Sequence, residues 1–339
     1  MVSNRRHPWY GLVAMLGLIA CTLLAFAVGH YPATPVAVGQ VLSNALFGYP
    51  SIVDAGLSQL ILQVRGPRIG LALLIGAGLA AAGAAYQSLF RNPLVSPDLL
   101  GVSSGAALGA VAGIFLAREA WMIQAFAFIG GMLAVLLAYA VAAAIDRHHR
   151  TVVLVLCGVA ISALLGAGVA MLTYFAEPQQ QLPAMTFWLL GSLSSVDPRD
   201  FIWLVWPSAL SVLLLWTQRD RLDALAMGEA QAASLGVAVV PVRVLTIIAA
   251  TLLTAAGVSV AGMIGWVGLI IPHMARLLVG AAFARVLPAS LVLGGGFLLM
   301  VDTCARSLGS VELPLGVFTA LVGTPIFLWL LLRHHRYGN

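Results

Sequence analysis

Three arginines carry the most chemical meaning in this 339-residue chain. Arg65 and Arg68 flank Gly66-Pro67, and Arg306 follows Asp302 at a spacing of one helical turn. A guanidinium holds five donors in a flat fork and grips a carboxylate through two parallel hydrogen bonds. Such a fork can anchor at lipid headgroups or pair within the chain, and Asp302 stands where it could hold Arg306. It can equally receive acidic groups of a soluble partner. Asp302 and Glu312 flank a short loop, where structural pairs are expected.

Other chemistry is excluded by what the chain lacks. All 17 basic residues are Arg. Without Lys there is no P-loop lysine for ATP and no lysine Schiff base. Cys21, Cys157 and Cys304 sit in apolar runs without metal-ligand spacing and read as small buried hydrophobes. His273 stands alone between Pro272 and Met274, which suits a structural hydrogen bond. His148-His149 and His334-His335 read as solvated ends. No nucleophile–base cluster is visible, so no catalytic residue, cofactor or metal is expected. The arginines are scattered and form no stripe for nucleic acid.

The elements that position these residues must lie in lipid. Hydrophobic residues make up 61% of the chain and charged ones 9%, against about a quarter in soluble proteins. The mean hydropathy is +1.01. Hydrocarbon about 30 Å thick takes roughly 20 residues per helix and leaves no water for an unpaired backbone. The expectation is an all-α integral membrane protein, one transmembrane domain over 1–339, with about ten spans. They fall near 10–29, 69–89, 99–117, 121–145, 151–175, 201–217, 240–260, 263–279, 286–304 and 314–332. The stretch 244–279 is long for one helix and short for two, so short helices turning back at Gly257 to Gly268 are expected there. The segment at 10–29 reads as a first span rather than a cleaved signal. Ten spans place both termini on one side, with eleven arginines there against five opposite, which makes that side cytoplasmic. Arg65, Arg68 and Arg306 are then outer-side exceptions.

Two cytoplasmic segments interrupt the apolar pattern. Leu222 to Pro241 is helix-permissive, broken at Gly228 and ended by Gly236. It reads either as an ordinary interfacial helix or as a docking helix that passes force to a cytoplasmic partner. Arg91 to Gly105 contains Pro93 and Pro97 and must turn irregularly, buried in protein or facing a wet path. It joins two helices with bare faces. Gly101, Gly105, Gly109 and Gly113 recur every four residues, as do Ala72, Gly76, Ala80 and Ala84, and such faces admit close helix packing.

At these segments the chain resembles the permease subunit of the iron-chelate, haem and vitamin B12 importers of the ATP-binding cassette class. The similarity runs from about Arg65 to Leu332. It rests on Arg65-Gly66-Pro67-Arg68, Arg91 to Gly105, Leu225 to Gly236, Gly262 to His273, Asp302 to Arg306 and Glu312 to Gly316. The resemblance implies ten helices per subunit and a homodimer with the path along its axis. It also implies two cytoplasmic ATPase subunits and a periplasmic substrate-binding protein at a bacterial inner membrane. By the same resemblance, Arg65, Arg68 and Arg306 receive glutamates of the binding protein. The 222–236 segment, including Leu225, Gly228, Glu229, Ala230, Ser234, Leu235 and Gly236, is the coupling helix seated in the ATPase. Asn92, Leu94 and Thr151 constrict a cytoplasmic gate. Val152 stands where relatives can carry a small hydroxyl residue, which would make the constriction greasier.

The substrate is less sharply written. The outer stretch 172–193 holds Tyr174, Phe175, Met185, Phe187 and Trp188 with Gln179, Gln180 and Gln181. An apolar, aromatic, weakly polar surface suits a large iron chelate, a siderophore or haem, better than a bare ion. Vitamin B12 or an oxyanion such as molybdate are the alternatives within the class. An ion-coupled secondary transporter is the alternative outside it, and the scarcity of ionisable groups near mid-span argues against it.

Overall fold

The computed structural model describes residues 9–29, 31, 33–49, 53–145, 150–309 and 311–337, and among them no strand occurs. His148 and His149 lie outside the described residues, as do the side chains of Thr151, His334 and His335. The chain folds as α1 (Trp9–Ala27), α2 (Pro35–Phe47), α3 (Ala55–Gln59), α4 (Gly66–Leu89), α5 (Val102–Phe115), α6 (Ala120–Ile145) and α7 (Arg150–Tyr174). There follow α8 (Gln181–Leu190), α9 (Pro198–Thr217), α10 (Arg219–Ala226), α11 (Glu229–Ser234) and α12 (Val239–Ala261). The last are α13 (Val267–Val279), α14 (Phe283–Ala305) and α15 (Leu315–Tyr337).

Each of the ten expected spans coincides with a helix: α1, α4, α5, α6, α7, α9, α12, α13, α14 and α15. Six stretches, 55–89, 120–145, 152–174, 198–217, 239–261 and 283–305, are long and apolar enough to cross a membrane by length and composition. Three expectations change. The span at 99–117 begins at Val102, because Pro97–Leu100 forms a 3₁₀ turn and Gly101 takes a left-handed φ of 86°. Of the two short helices expected over 244–279, only α13 is short, whereas α12 runs 23 residues. The reversal sits at 262–266, where Gly262 and Trp266 both have positive φ. Finally, α2 (13 residues) and α8 (10 residues) are additional helices that the span pattern did not place.

A continuous helical stretch leads into α4, because a π segment, Leu60–Arg65, joins α3 to it. Pro67 supplies the physical reason. Its ring crowds the carbonyl four residues back and it brings no N–H, so the preceding turn widens. Gly66 N–H bonds to Ile61 O, five residues back. The wide turn is what carries Arg65 inward.

Helix α4 is the hub, with 78% of its apolar window buried, and α12 follows with 72%, whereas α7 reaches 22%. Lipid tails give helices no hydrophobic reason to associate, so close approach of backbones does the holding. A Cβ on Gly76 would overlap the Gly294 carbonyl of α14, and one on Gly83 the Gly268 carbonyl of α13. Gly105 and Gly109 of α5 meet the Gly130 and Phe126 carbonyls of α6 in the same way. Both small-residue faces read from the sequence therefore serve as contact faces. The buried Tyr86 hydroxyl, 3.0 Å from Thr251 Oγ1, ties α4 to α12.

Gly83→Ala is expected to lower stability by about 1–3 kcal/mol, the usual cost of overpacking, read as a fall in the detergent unfolding midpoint. Gly17→Ala on α1, where a Cβ meets open space, should hold or raise that midpoint.

Candidate functional site

The three outer arginines converge. Arg65 ends the π segment, Arg68 lies in the first turn of α4, and Arg306 caps α14. All three reach the end of α1 or the acids beside it. The last carbonyls of a helix have no partner within it, and here guanidinium groups supply one. Arg65 Nη1 donates to Phe26 O and Nη2 to Tyr31 O. Arg306 Nη1 donates to Val28 O at 2.8 Å and Nη2 to Ala25 O. Gly29 makes room: a Cβ there would stand 2.9 Å from Arg65 Nη2 and 3.0 Å from Arg306 Nη1.

Arg68 takes the acids. Its Nε donates to Asp302 Oδ1 at 2.9 Å, and Nη1 and Nη2 clasp Glu312 at 2.9 and 3.0 Å. Asp302 is fully buried, and its other oxygen lies 3.5 Å from Arg306 Nε, a charge contact rather than a hydrogen bond. The internal pairing anticipated for Asp302 and Glu312 is thus present, although Asp302 makes its short bond to Arg68. Arg65 and Arg306 are 5% and 6% exposed, whereas the Arg68 side chain is 12% and Glu312 36% exposed. Of the three forks, Arg68's is the most open. The carbonyl partners on α1 left no mark in the sequence.

At the opposite end of α4 lies the proline-rich turn. Arg91 takes a positive φ of 52°. Asn92 Oδ1 accepts the Leu94 N–H at 2.9 Å, a local side-chain turn that fixes Leu94 outward, 48% exposed. Val95, Pro97 and Leu100 are buried beneath. The turn seats against α7, where Gly158 admits the Leu99 carbonyl. Val152, at the start of α7, is 63% exposed.

The 222–236 segment is two helices rather than one. Gly228 separates α10 from α11 with φ 125° and ψ 150°, and Gly236 ends α11 with φ 80°. Leu222, Leu225 and Ala232 face the core, while Met227 and Leu235 are 59% and 63% exposed. Ala230 and Ser234 are also exposed. Two side chains moor the segment. Asp223 Oδ1 accepts the Phe283 N–H at the start of α14 at 2.7 Å, and Glu229 Oε1 accepts from Arg243 of α12. A Cβ on Gly228 would lie 3.7 Å from Arg91 Nη1, so the proline-rich turn borders this segment. Neither Asp223, inside α10, nor Arg243, early in α12, stands in a pattern that marks its partner in the sequence.

At the outer end of α7, Tyr174, Phe175 and Phe187 are 83%, 61% and 67% exposed. Met185, expected on that surface, is fully buried against Val111 and Ile114, because it points to the α5 side of the short helix α8. Glu177 accepts the N–H groups of Gln179 and Gln180, which hold its carboxyl below the usual glutamate range. Gln181 accepts the Glu177 N–H and donates to Phe115 O, both at 3.0 Å, and so staples this mouth to α5. His273 is half-buried in α13 and has a partner. Among the described residues no group of three His, Cys, Asp or Glu could hold a metal.

The model of the FecCD transport family matches residues 17–333. The chain belongs to the FecCD transport family. It is 35% identical to the molybdate import system permease protein MolB of Haemophilus influenzae, over 97% of this chain and 96% of that protein. It is 41% identical to a probable iron chelatin transport system permease protein of Helicobacter pylori, over 82% of this chain and 84% of that protein. An inward-facing ABC transporter, provisionally assigned to the metal-chelate type, superposes with a TM-score of 0.87 at 34% identity, covering 96% of this chain and all of that one. A FecCD-family chain is the permease subunit of an ABC importer, a transport component rather than an enzyme. It works with ATPase and substrate-binding partners.

Asp302→Ala removes the counter-charge of buried Arg306 and one of the two acids on Arg68, and is expected to cost about 3–5 kcal/mol. Glu312→Gln, at a partly exposed pair, is expected to cost about 1 kcal/mol or less. Thermal unfolding of the two purified variants in detergent measures the difference.

Proposed function

We propose that this FecCD-family permease forms a homodimer in a bacterial inner membrane, termini cytoplasmic, and carries an iron chelate inward along the dimer axis. The observation that carries this reading is the bare face of α7. It runs unpartnered within the chain from Val152 through Leu156, Leu164 and Met171 to Tyr174, each more than 60% exposed. That face joins the end bearing Asn92, Leu94 and Thr151 to the aromatic mouth. A second copy of α7 opposite it would enclose a smooth, apolar, neutral path, and a large chelate needs such a wall more than it needs charged ligands. The Helicobacter pylori relative's description supports the chelate. An oxyanion is the second reading, favoured by the near-complete alignment with the molybdate permease.

In this reading the Asn92–Leu94 turn and the Thr151–Val152 start of α7 form the inner gate. The α10–α11 segment seats in the ATPase, with Met227, Ala230, Ser234 and Leu235 exposed for contact. A substrate-binding protein presents acidic groups at the outer arginines. Arg68 is the least buried of the three forks but is clasped by Asp302 and Glu312, so a partner's carboxylate takes the place of the partly exposed Glu312, whereas Arg65 and Arg306 fix α1.

Three measurements test these assignments. Leu164→Cys should give an oxidant-dependent covalent dimer in membranes, and a monomer throughout would refute the α7 pairing. Arg68→Gln should weaken binding-protein affinity about tenfold, the loss of one charge-assisted contact, in a detergent binding assay. Vesicles holding permease, ATPase and binding protein should take up ferric chelate in an ATP-dependent, vanadate-sensitive manner. Uptake of molybdate instead, with no chelate transport, would select the second reading.

A further inference from the structure

Glu229 opens α11, on the far side of the Gly228 break, and Arg243 lies in the first turn and a half of α12. Arg243 Nη2 donates to Glu229 Oε1. Arg243 is 6% exposed, while the Glu229 side chain is about half exposed. A buried guanidinium depends on its counter-charge far more than a surface one, because nothing else repays its desolvation.

What lies behind Arg243 leaves room for movement. Its side chain lines a cavity of about 10 Å³ together with Tyr139, Ala142 and Ala143 of α6 and Leu154 of α7. Leu154 is 2% exposed and sits two residues after Val152, at the foot of the bare α7 face. The cavity is the size of a single water and leaves slack where a packed core would leave none. Meanwhile Asp223 fastens α10 to the start of α14. One half of the segment is therefore moored to α14, the other half to Arg243, with the glycine between them.

We infer that Glu229 and Arg243 are the positioning pair that converts displacement of the α11 half into movement of the α6–α7 seam beneath the gate. This rests on the coupling-segment reading above. Gly228 is the pivot, and Arg243 is the arm pressing on Leu154.

The test uses the whole importer, with ATPase and binding protein, in vesicles, and reads ferric chelate taken up per ATP hydrolysed. Should molybdate prove to be the cargo, it replaces the chelate as probe. Glu229→Gln and Arg243→Gln should each lower that ratio about fivefold, and the double variant should fall no further, as members of one contact do. Arg243→Lys should recover at least half of the loss. A wild-type ratio in Arg243→Gln, or losses that multiply in the double variant, would overturn the pair. A loss confined to unfolding midpoint or yield, with the ratio intact, would also overturn it, since that is a purely structural role. Failure of the underlying reading shows separately: Ala230→Cys, on the exposed side of α11, would then form no disulfide with cysteines scanned across the ATPase surface.

Discussion

A helix end leaves the carbonyl groups of its last turn without a backbone partner. In this protein guanidinium groups take several of them. Arg65 and Arg306 close the end of α1, and Arg219 reaches the Trp216 carbonyl at the end of α9. Arginine suits this task because one flat fork reaches two carbonyls and stays charged against the negative end of a helix dipole. An ammonium would concentrate the same charge at a point. The exclusive use of Arg among 17 basic residues acquires a structural meaning from these contacts.

The second constraint is proximity. Helices α4 and α14, and α5 and α6, touch backbone to backbone through Gly76, Gly294, Gly105 and Gly130. Contact at that range cannot be adjusted by rotamers, so those pairs behave as rigid units. Side-chain joints connect elements at both ends of the bundle: Arg65, Arg68 and Arg306 at one, and Asp223, Glu229 and Arg243 at the end bearing α10 and α11. Stiffness in the bundle and compliance at its rim suit a permease driven from outside by a nucleotide-hydrolysing partner.

Much of this was legible in the sequence. Apolar run lengths placed ten helices, small residues at fourfold spacing marked two contact faces, and Gly228 and Gly236, both at positive φ, mark the break within and the end of the 222–236 segment. What escaped detection has a common cause. Helix α2 is as long as α13, but Gln40, Ser43 and Asn44 interrupt its apolar pattern, and α8 has only 10 residues, so span counting overlooks both. The partners of Arg65 and Arg306 are main-chain carbonyls, which carry no residue type. Met185 shares its composition with an exposed aromatic surface, and only the path of α8 turns it inward. The wide turn before α4 was signalled by Pro67, yet its consequence depends on where α1 ends.

That last dependence reaches back to synthesis. Helix α1 is made before α14, yet one of the two guanidinium groups that close its end belongs to residue 306, and α14 is among the helices it packs on. The carbonyls of Ala25 and Val28 therefore stay without Arg306 until α14 has been inserted. An early helix thereby depends for its closing contacts on a late one.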